Sequence, residues 1–278
     1  MSWLVNEKVN MSKKVSQKTL ALIKKINRAF KEYPMLSDGD RVAIAMSGGH
    51  DSMSLLHLLE IRKSLTPERY KLIPIHIIGD ARGPNDTPEH KPLIEWLEAN
   101  RYAYIIAPMQ IAPDEKLPMN CQRCTWNRRS TLFKIANRLG CNKIAFGHHF
   151  DDMVETALLN LLYQGRMATM YPYAPYFGGE FSLIRPLTYV TKKELIAYAL
   201  NNDFPSPPPD CPRGHVSKRK MVADILNIAD QDYQNMRWNI FRAAINCMKL
   251  DPKANLFDSS DLSVEKEKSY HEMEFMEE

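Results

Sequence analysis

The stretch RVAIAMSGGHDSMSLLHLLEIRKSL, residues 41–65, decides the fold. Its first six residues form a short apolar run that reads as a strand. Residues 51–65 place Leu55, Leu58 and Leu59 at helical spacing. Between the two lies Ser47-Gly48-Gly49-His50-Asp51-Ser52. Moving outward, the alternation repeats. KLIPIHIIGD (71–80) is a second strand and HKPLIEWLEANR (90–101) a second helix. YAYIIAP (102–108) is a third strand, and NRRSTLFKIANRLG (127–140) is a helix closing on Gly140. KIAFGHH (143–149) and DDMVETALLNLLYQG (151–165) complete a fourth pair. Strands alternating with helices of this length imply parallel pairing and right-handed crossovers. The predicted fold is α/β, an open parallel sheet with helices on both faces and helical additions at both ends. In such sheets ligands bind beyond the carboxyl ends of the strands.

The flanks have a different character. Within residues 1–40, the segment 12–32 carries Val15, Leu22, Ile23, Ile26 and Phe30 near helical period, and seven basic residues against one acid fall in the first 30. This predicts an amphipathic basic helix. The α/β domain is assigned to 41–205. A connector with five prolines follows, NNDFPSPPPDCPRG (201–214), and region 206–250 holds two predicted helices near 217–228 and 232–248. Residues 251–278 form an acidic tail predicted to be disordered.

The chain has 278 residues, 44% hydrophobic and 25% charged, which fits an ordinary globular protein. No apolar run approaches the roughly 20 residues of a membrane span. The N-terminus shows no secretion signal. A cytoplasmic location and no membrane partner are therefore expected. Residues 258–278 carry eight acids and two lysines, so a total of +4 leaves about +10 on the rest. A basic body attracts polyanions such as RNA; a solvated Lys/Arg-rich surface gives the same count.

Two glycines after the first strand let the backbone turn sharply and approach a ligand. Ser47 and Ser52 offer hydroxyl donors, and the unpaired N–H groups of the following helix favour an anion. Asp51 either caps that helix or holds Mg²⁺. At this point the chain resembles the PP-loop ATP pyrophosphatases, whose S-G-G-x-D-S follows the first strand. Within that group it resembles the tRNA 2-thiocytidine synthetases. The similarity lies in CQRCTWNRR (121–129), in GHHFDDMVET (147–156) with LLNLLYQGRM (158–167), in LIRPLTYVTKKELIAYA (183–199), and in Cys211 after the proline-rich link. It spans roughly residues 20–247, and parts of it are shared with 2-thiouridine synthetases. The family usually has lysine where this chain has His50, so one fixed positive charge is replaced by a group largely neutral at neutral pH.

The resemblance implies an ATP site at Ser47, Gly48, Gly49, His50, Asp51, Ser52, Gly147 and His148, with Mg²⁺ at Asp51. It implies a [4Fe–4S] cluster on Cys121, Cys124 and Cys211, leaving one iron without a thiolate. Asp152 takes a catalytic or Mg²⁺-binding role, and Arg128 serves the reacting base or a phosphate. Spacing alone leaves other readings open. Cys121, Cys124, Cys211 and His215 match a closed Cys₃His zinc site. Cys121 and Cys124 also match a redox pair. Asp151 and Asp152 at a helix start suit capping, Arg128 and Arg129 suit a solvated face, and His148 and His149 suit satisfied hydrogen-bonding histidines. Cys141 and Cys247 read as core residues.

The implied reaction adenylates a nucleobase carbonyl in tRNA and replaces its oxygen with sulfur, most simply at an anticodon-loop cytidine. A cysteine desulfurase or free sulfide supplies the sulfur, and the family suggests a homodimer. The alternatives are thiolation of a tRNA uridine or a small metabolite, and a non-catalytic zinc-stabilised RNA-binding protein.

Overall fold

The computed structural model describes residues 15–176, 179–209, 218–231, 233 and 235–250. The acidic tail, Cys211 and His215 lie outside the described residues.

Six strands form one sheet: β1 (Arg41–Met46), β2 (Lys71–Ile78), β3 (Ile105–Pro108), β4 (Lys143–Ala145), β5 (Tyr173–Tyr176) and β6 (Phe181–Ile184). Their order is β3-β2-β1-β4-β6-β5. All pairs are parallel except β5 with β6. The sheet is thus parallel with one antiparallel edge hairpin, and that hairpin was not read from the sequence. YAPY and FSLI are four residues each, too short for a period to register.

The crossover helices follow from their burial. Helix α2 (His50–Leu65) has Met53, Leu55, Leu56, Leu58 and Leu59 fully buried. Helix α3 spans Lys91–Ala99. Helix α4 (Cys121–Arg138) begins at the first cysteine rather than after the pair, because the Asn120 side chain caps it by accepting from the Arg123 N–H at 2.7 Å. At the opposite, amino edge of the sheet, Asp40 accepts from Asn142 Nδ2 at 2.7 Å and lies 3.4 Å from the Lys143 ammonium; both members of this ion pair are buried. It ties the start of β1 to the start of β4.

Helix α1 (Gln17–Glu32) buries Leu22, Ile23, Ile26 and Ala29 along one stripe and is capped by Ser16. Its polar face is partly used as well. Lys25 donates to Glu194 at 2.6 Å, in the first turn of α6 (Lys192–Ala199), where Glu194 completes a capping box with Thr191.

The chain divides into two compact units, Met1–Phe150 with Tyr171–Val216, and Asp151–Met170 with Ser217–Glu278. The sheet lies in the first. The second holds nearly all of α5 (Phe150–Gln164), with α7 (Lys218–Ala229) and α8 (Met236–Leu250). Inside it Thr169 donates from its hydroxyl to the Met153 carbonyl at 2.5 Å and from its N–H to Met248 Sδ at 3.2 Å. Among the described residues no helix is long and apolar enough to cross a membrane.

Ile26 is fully buried while Leu20, on the same helix, is 37% exposed. Ile26→Ala is expected to lower unfolding free energy by about 3 kcal/mol, and Leu20→Ala by about 0.5 kcal/mol. Urea denaturation followed by circular dichroism measures both.

Candidate functional site

Strand β1 lies between β2 and β4; the chain runs outward from β1 through β2 to β3, then crosses back to β4 on the other side of β1. This makes the carboxyl end of β1 the switch point where an open parallel sheet opens a crevice. The loop there is held by its own serines. Ser47 N–H donates to Ser52 Oγ at 3.2 Å, Ser52 Oγ donates to the Gly49 carbonyl at 3.0 Å, and Gly49 N–H donates to Ser47 Oγ at 3.2 Å. The hydroxyls expected as ligand donors therefore also brace the bend. Gly48 has φ +82, a conformation that favours glycine.

Gly49 caps α2 with no side chain, and Asp51 stands in the first turn rather than at the cap. Its carboxylate is 45% exposed and lies 3.8 Å from His149 Nε2. His50 is exposed. Gly147, just beyond β4, packs directly on this first turn: a Cβ there would sit 3.1 Å from Asp51 C and from Ser52 N. His148 Nδ1 lies 3.4 Å from Nε of Arg185, a fully buried arginine that also donates to the Tyr171 carbonyl.

Two histidines join this edge that sequence reasoning did not single out. His76, near the end of β2, bonds the Met46 carbonyl through Nδ1 at 2.8 Å. Burial pushes its pKa down, the hydrogen bond to Met46 opposes this, and the nearby Arg128 charge pushes it further down. Arg128, expected to serve the reaction, is thus brought from α4 toward the end of β1. His90 caps α3 and lies on Gly48. The loop between β2 and α3 also reaches the cysteine helix, where Met119 N–H donates to the Ala81 carbonyl at 2.7 Å. A lone histidine in a sequence carries no signal of its partner, so neither residue was legible in advance.

Cys121 is exposed and Cys124 half-buried, with Cys124 packed against the sheet core. Three residues apart in the first helical turn, they share a face. The positive end of α4 favours negative charge there. Two thiols so placed suit two positions of a metal or cluster site. Among the described residues no group of three His, Cys, Asp or Glu is placed to hold a metal. Arg129 is half-buried, its guanidinium 5.8 Å from the centre of the Phe146 ring. Cys141 is buried and burial pushes its thiol pKa up, as a core residue requires. Cys247, expected in the core, is exposed; Ala244, Ile245 and Met248 take the buried face of α8.

The second unit carries the acidic pair. Asp152 Oδ1 accepts from Arg219 at 3.2 Å, and Asp151 Oδ1 accepts from Arg237 at 3.2 Å. Arg237 is only 15% exposed and also donates to Asp230 at 2.5 Å and Asn227 at 2.9 Å. Both carboxylates stand in the first turn of α5.

A parallel sheet with a braced double-glycine bend at its switch point defines a PP-loop nucleotide-binding protein. The PP-loop domain family matches residues 16–205. Among curated proteins, a tRNA-cytidine(32) 2-sulfurtransferase from Citrifermentans bemidjiense is 34% identical over 230 residues, covering 80% of this chain and 88% of the relative. One from Syntrophotalea carbinolica is 33% identical over 84% of this chain and 91% of the relative. One from Methylobacillus flagellatus is 35% identical over 81% and 75%. The chain belongs to the tRNA-cytidine(32) 2-sulfurtransferase family of PP-loop proteins. Among solved structures, the U34-tRNA thiolase NcsA from Methanococcus maripaludis with its [4Fe-4S] cluster superposes with a TM-score of 0.64 at 20% identity, covering 88% of each chain, and so shares the fold.

The contact at Gly147 is with backbone, which cannot swing aside. Gly147→Ala is expected to cost about 1–3 kcal/mol by overpacking, read as a lowered melting temperature in calorimetry.

Proposed function

We propose that this protein is an ATP-dependent tRNA sulfurtransferase that adenylates a cytidine in the anticodon loop and converts it to 2-thiocytidine. The observation that carries this reading is convergence within the first unit. The loop between β2 and α3 touches the phosphate bend through His90 and the approach to the cysteine helix through Ala81. The names of the curated relatives support the substrate, and the PP-loop match supports ATP.

On this reading ATP binds at Ser47, Gly48, Gly49, His50, Asp51 and Ser52, with Gly147 and His148 alongside. The N–H groups at the start of α2 take phosphate oxygens, so the histidine in place of the family's lysine is tolerated. Asp51, exposed beside the bend, is the place for Mg²⁺. The cytidine carbonyl oxygen attacks the α phosphorus and pyrophosphate leaves. Sulfur then adds at the base carbon and AMP departs with the oxygen. Arg128 supplies positive charge to the reacting base or phosphate, and Asp152, on the second unit, keeps the catalytic or Mg²⁺-binding role that the resemblance implies. Cys121, Cys124 and Cys211 would hold a [4Fe–4S] cluster. When bound, such a cluster supplies an iron position free of protein thiolate for sulfur delivery.

The tRNA is drawn by the net basic body, with the base unstacked in a loop. The sulfur comes from a cysteine desulfurase or free sulfide, and the working form is a homodimer. Nucleoside mass spectrometry of tRNA from a deletion strain tests the reading. Loss of 2-thiocytidine, restored by the wild-type gene but not by Cys121→Ala, is expected. An unchanged nucleoside profile would defeat it.

A further inference from the structure

His90 is 8% exposed, and its Nε2 is buried with no hydrogen-bond partner. A buried polar atom left unpaired is costly, and in a native fold it asks for a reason. Here the surroundings supply one. A Cβ built on Gly48 would lie 2.5 Å from His90 Cδ2 and 3.0 Å from Nε2, so the unpaired nitrogen lies against the phosphate bend itself. The segment containing Ser206 and Pro208 lies beside the ring. The Ser206 backbone interacts with the ring, and Pro208 Cδ comes within 3.2 Å of the same Gly48 Cβ position.

We propose that His90 is a phosphate ligand of this site: its Nε2, as an N–H, donates to an oxygen of the polyphosphate held at residues 47–52, and the imidazole takes up one proton from solvent as the anion arrives. This rests on the nucleotide reading above and adds a residue and a proton to it.

The charges around the ring fit that exchange. His76 from β2 faces it, and Arg128 from α4 acts on His76. Glu89 and Lys91 flank it in sequence, and His50 and Asp51 follow the bend on α2. The groups packed on the ring, Gly48, Ser206 and Pro208, carry no charge. Burial pushes the His90 pKa below the usual imidazole range, so the ring is neutral without ligand. A lone pair on Nε2 would repel a phosphate oxygen; a proton on it turns the contact into a charge-assisted hydrogen bond. The anion thus raises the proton affinity of the ring, and nucleotide affinity falls as pH rises through the pKa of the bound state. Departure of pyrophosphate removes the counter-charge and releases the proton again.

Isothermal titration of the full-length protein with the α,β-methylene analogue of ATP and Mg²⁺, in two buffers of different ionisation enthalpy, tests this. The wild type should take up close to one proton per nucleotide. His90→Phe, which keeps a ring on Gly48, should lose the uptake and bind about tenfold more weakly. His90→Gln, which offers an N–H without titrating, should bind within a few-fold of wild type, also without uptake. Nucleotide binding by wild type with no proton uptake, or uptake undiminished in both variants, overturns the inference and leaves the nucleotide site standing. Failure of the wild type to bind the analogue at all overturns both.

Discussion

One backbone position governs the site. At Gly48 the chain must adopt a left-handed conformation, and the imidazole of His90 covers the place where a side chain would go. The bend has no room to relax on its other flanks. Helix α2 begins one residue beyond Gly49 and is anchored by leucines with no exposed surface. Gly147 presses its Cα onto the first turn of that helix, and the two serines tie the bend across its base. A backbone held from four directions presents its N–H groups in one arrangement, which is the preorganisation that electrostatic catalysis at phosphorus requires. The cost is met by the packed core beneath rather than by the ligand.

The same constraint gives the loop between β2 and α3 its importance. That loop has no regular structure of its own, yet one end of it lies on the phosphate bend and the other accepts a hydrogen bond from the residue before the Asn120 cap. The glycine bend and the thiol-bearing helix are therefore not independent decorations of the sheet. The acidic pair belongs to a different compact unit, where arginines from α7 and α8 hold both carboxylates. Those two C-terminal helices thus set the charge environment of Asp151 and Asp152.

Much of the architecture was legible because two periodicities were strong. RVAIAM and KLIPIHII are continuous apolar runs between helices with clear leucine spacing, and the parallel sheet followed from their alternation. Failures came where a local signal was short or misplaced. The β5–β6 hairpin is too brief to show a period. The apolar period starts only after the C-x-x-C, although Asn120 is a strong capping residue and places both cysteines inside the first turn. The apolar neighbours of Cys247 suggest a core position, but those neighbours fill the buried face and leave the thiol outside. In the site, the glycines and serines were legible because their chemistry is written in adjacent residues. His76 and His90 were not, since what matters about them is which distant backbone they touch.

The placement of the cysteines has a consequence for the life of the protein under oxidation. In small metal-nucleated domains the ion is the scaffold, and its removal melts the chain. Here Cys121 and Cys124 ride on an eighteen-residue helix whose start is secured by a neutral amide and whose inner face is sealed into the sheet. The proposed cluster would therefore sit on a mount that does not depend on it, and its loss would leave both sulfurs on a prebuilt platform, ready for reloading rather than refolding.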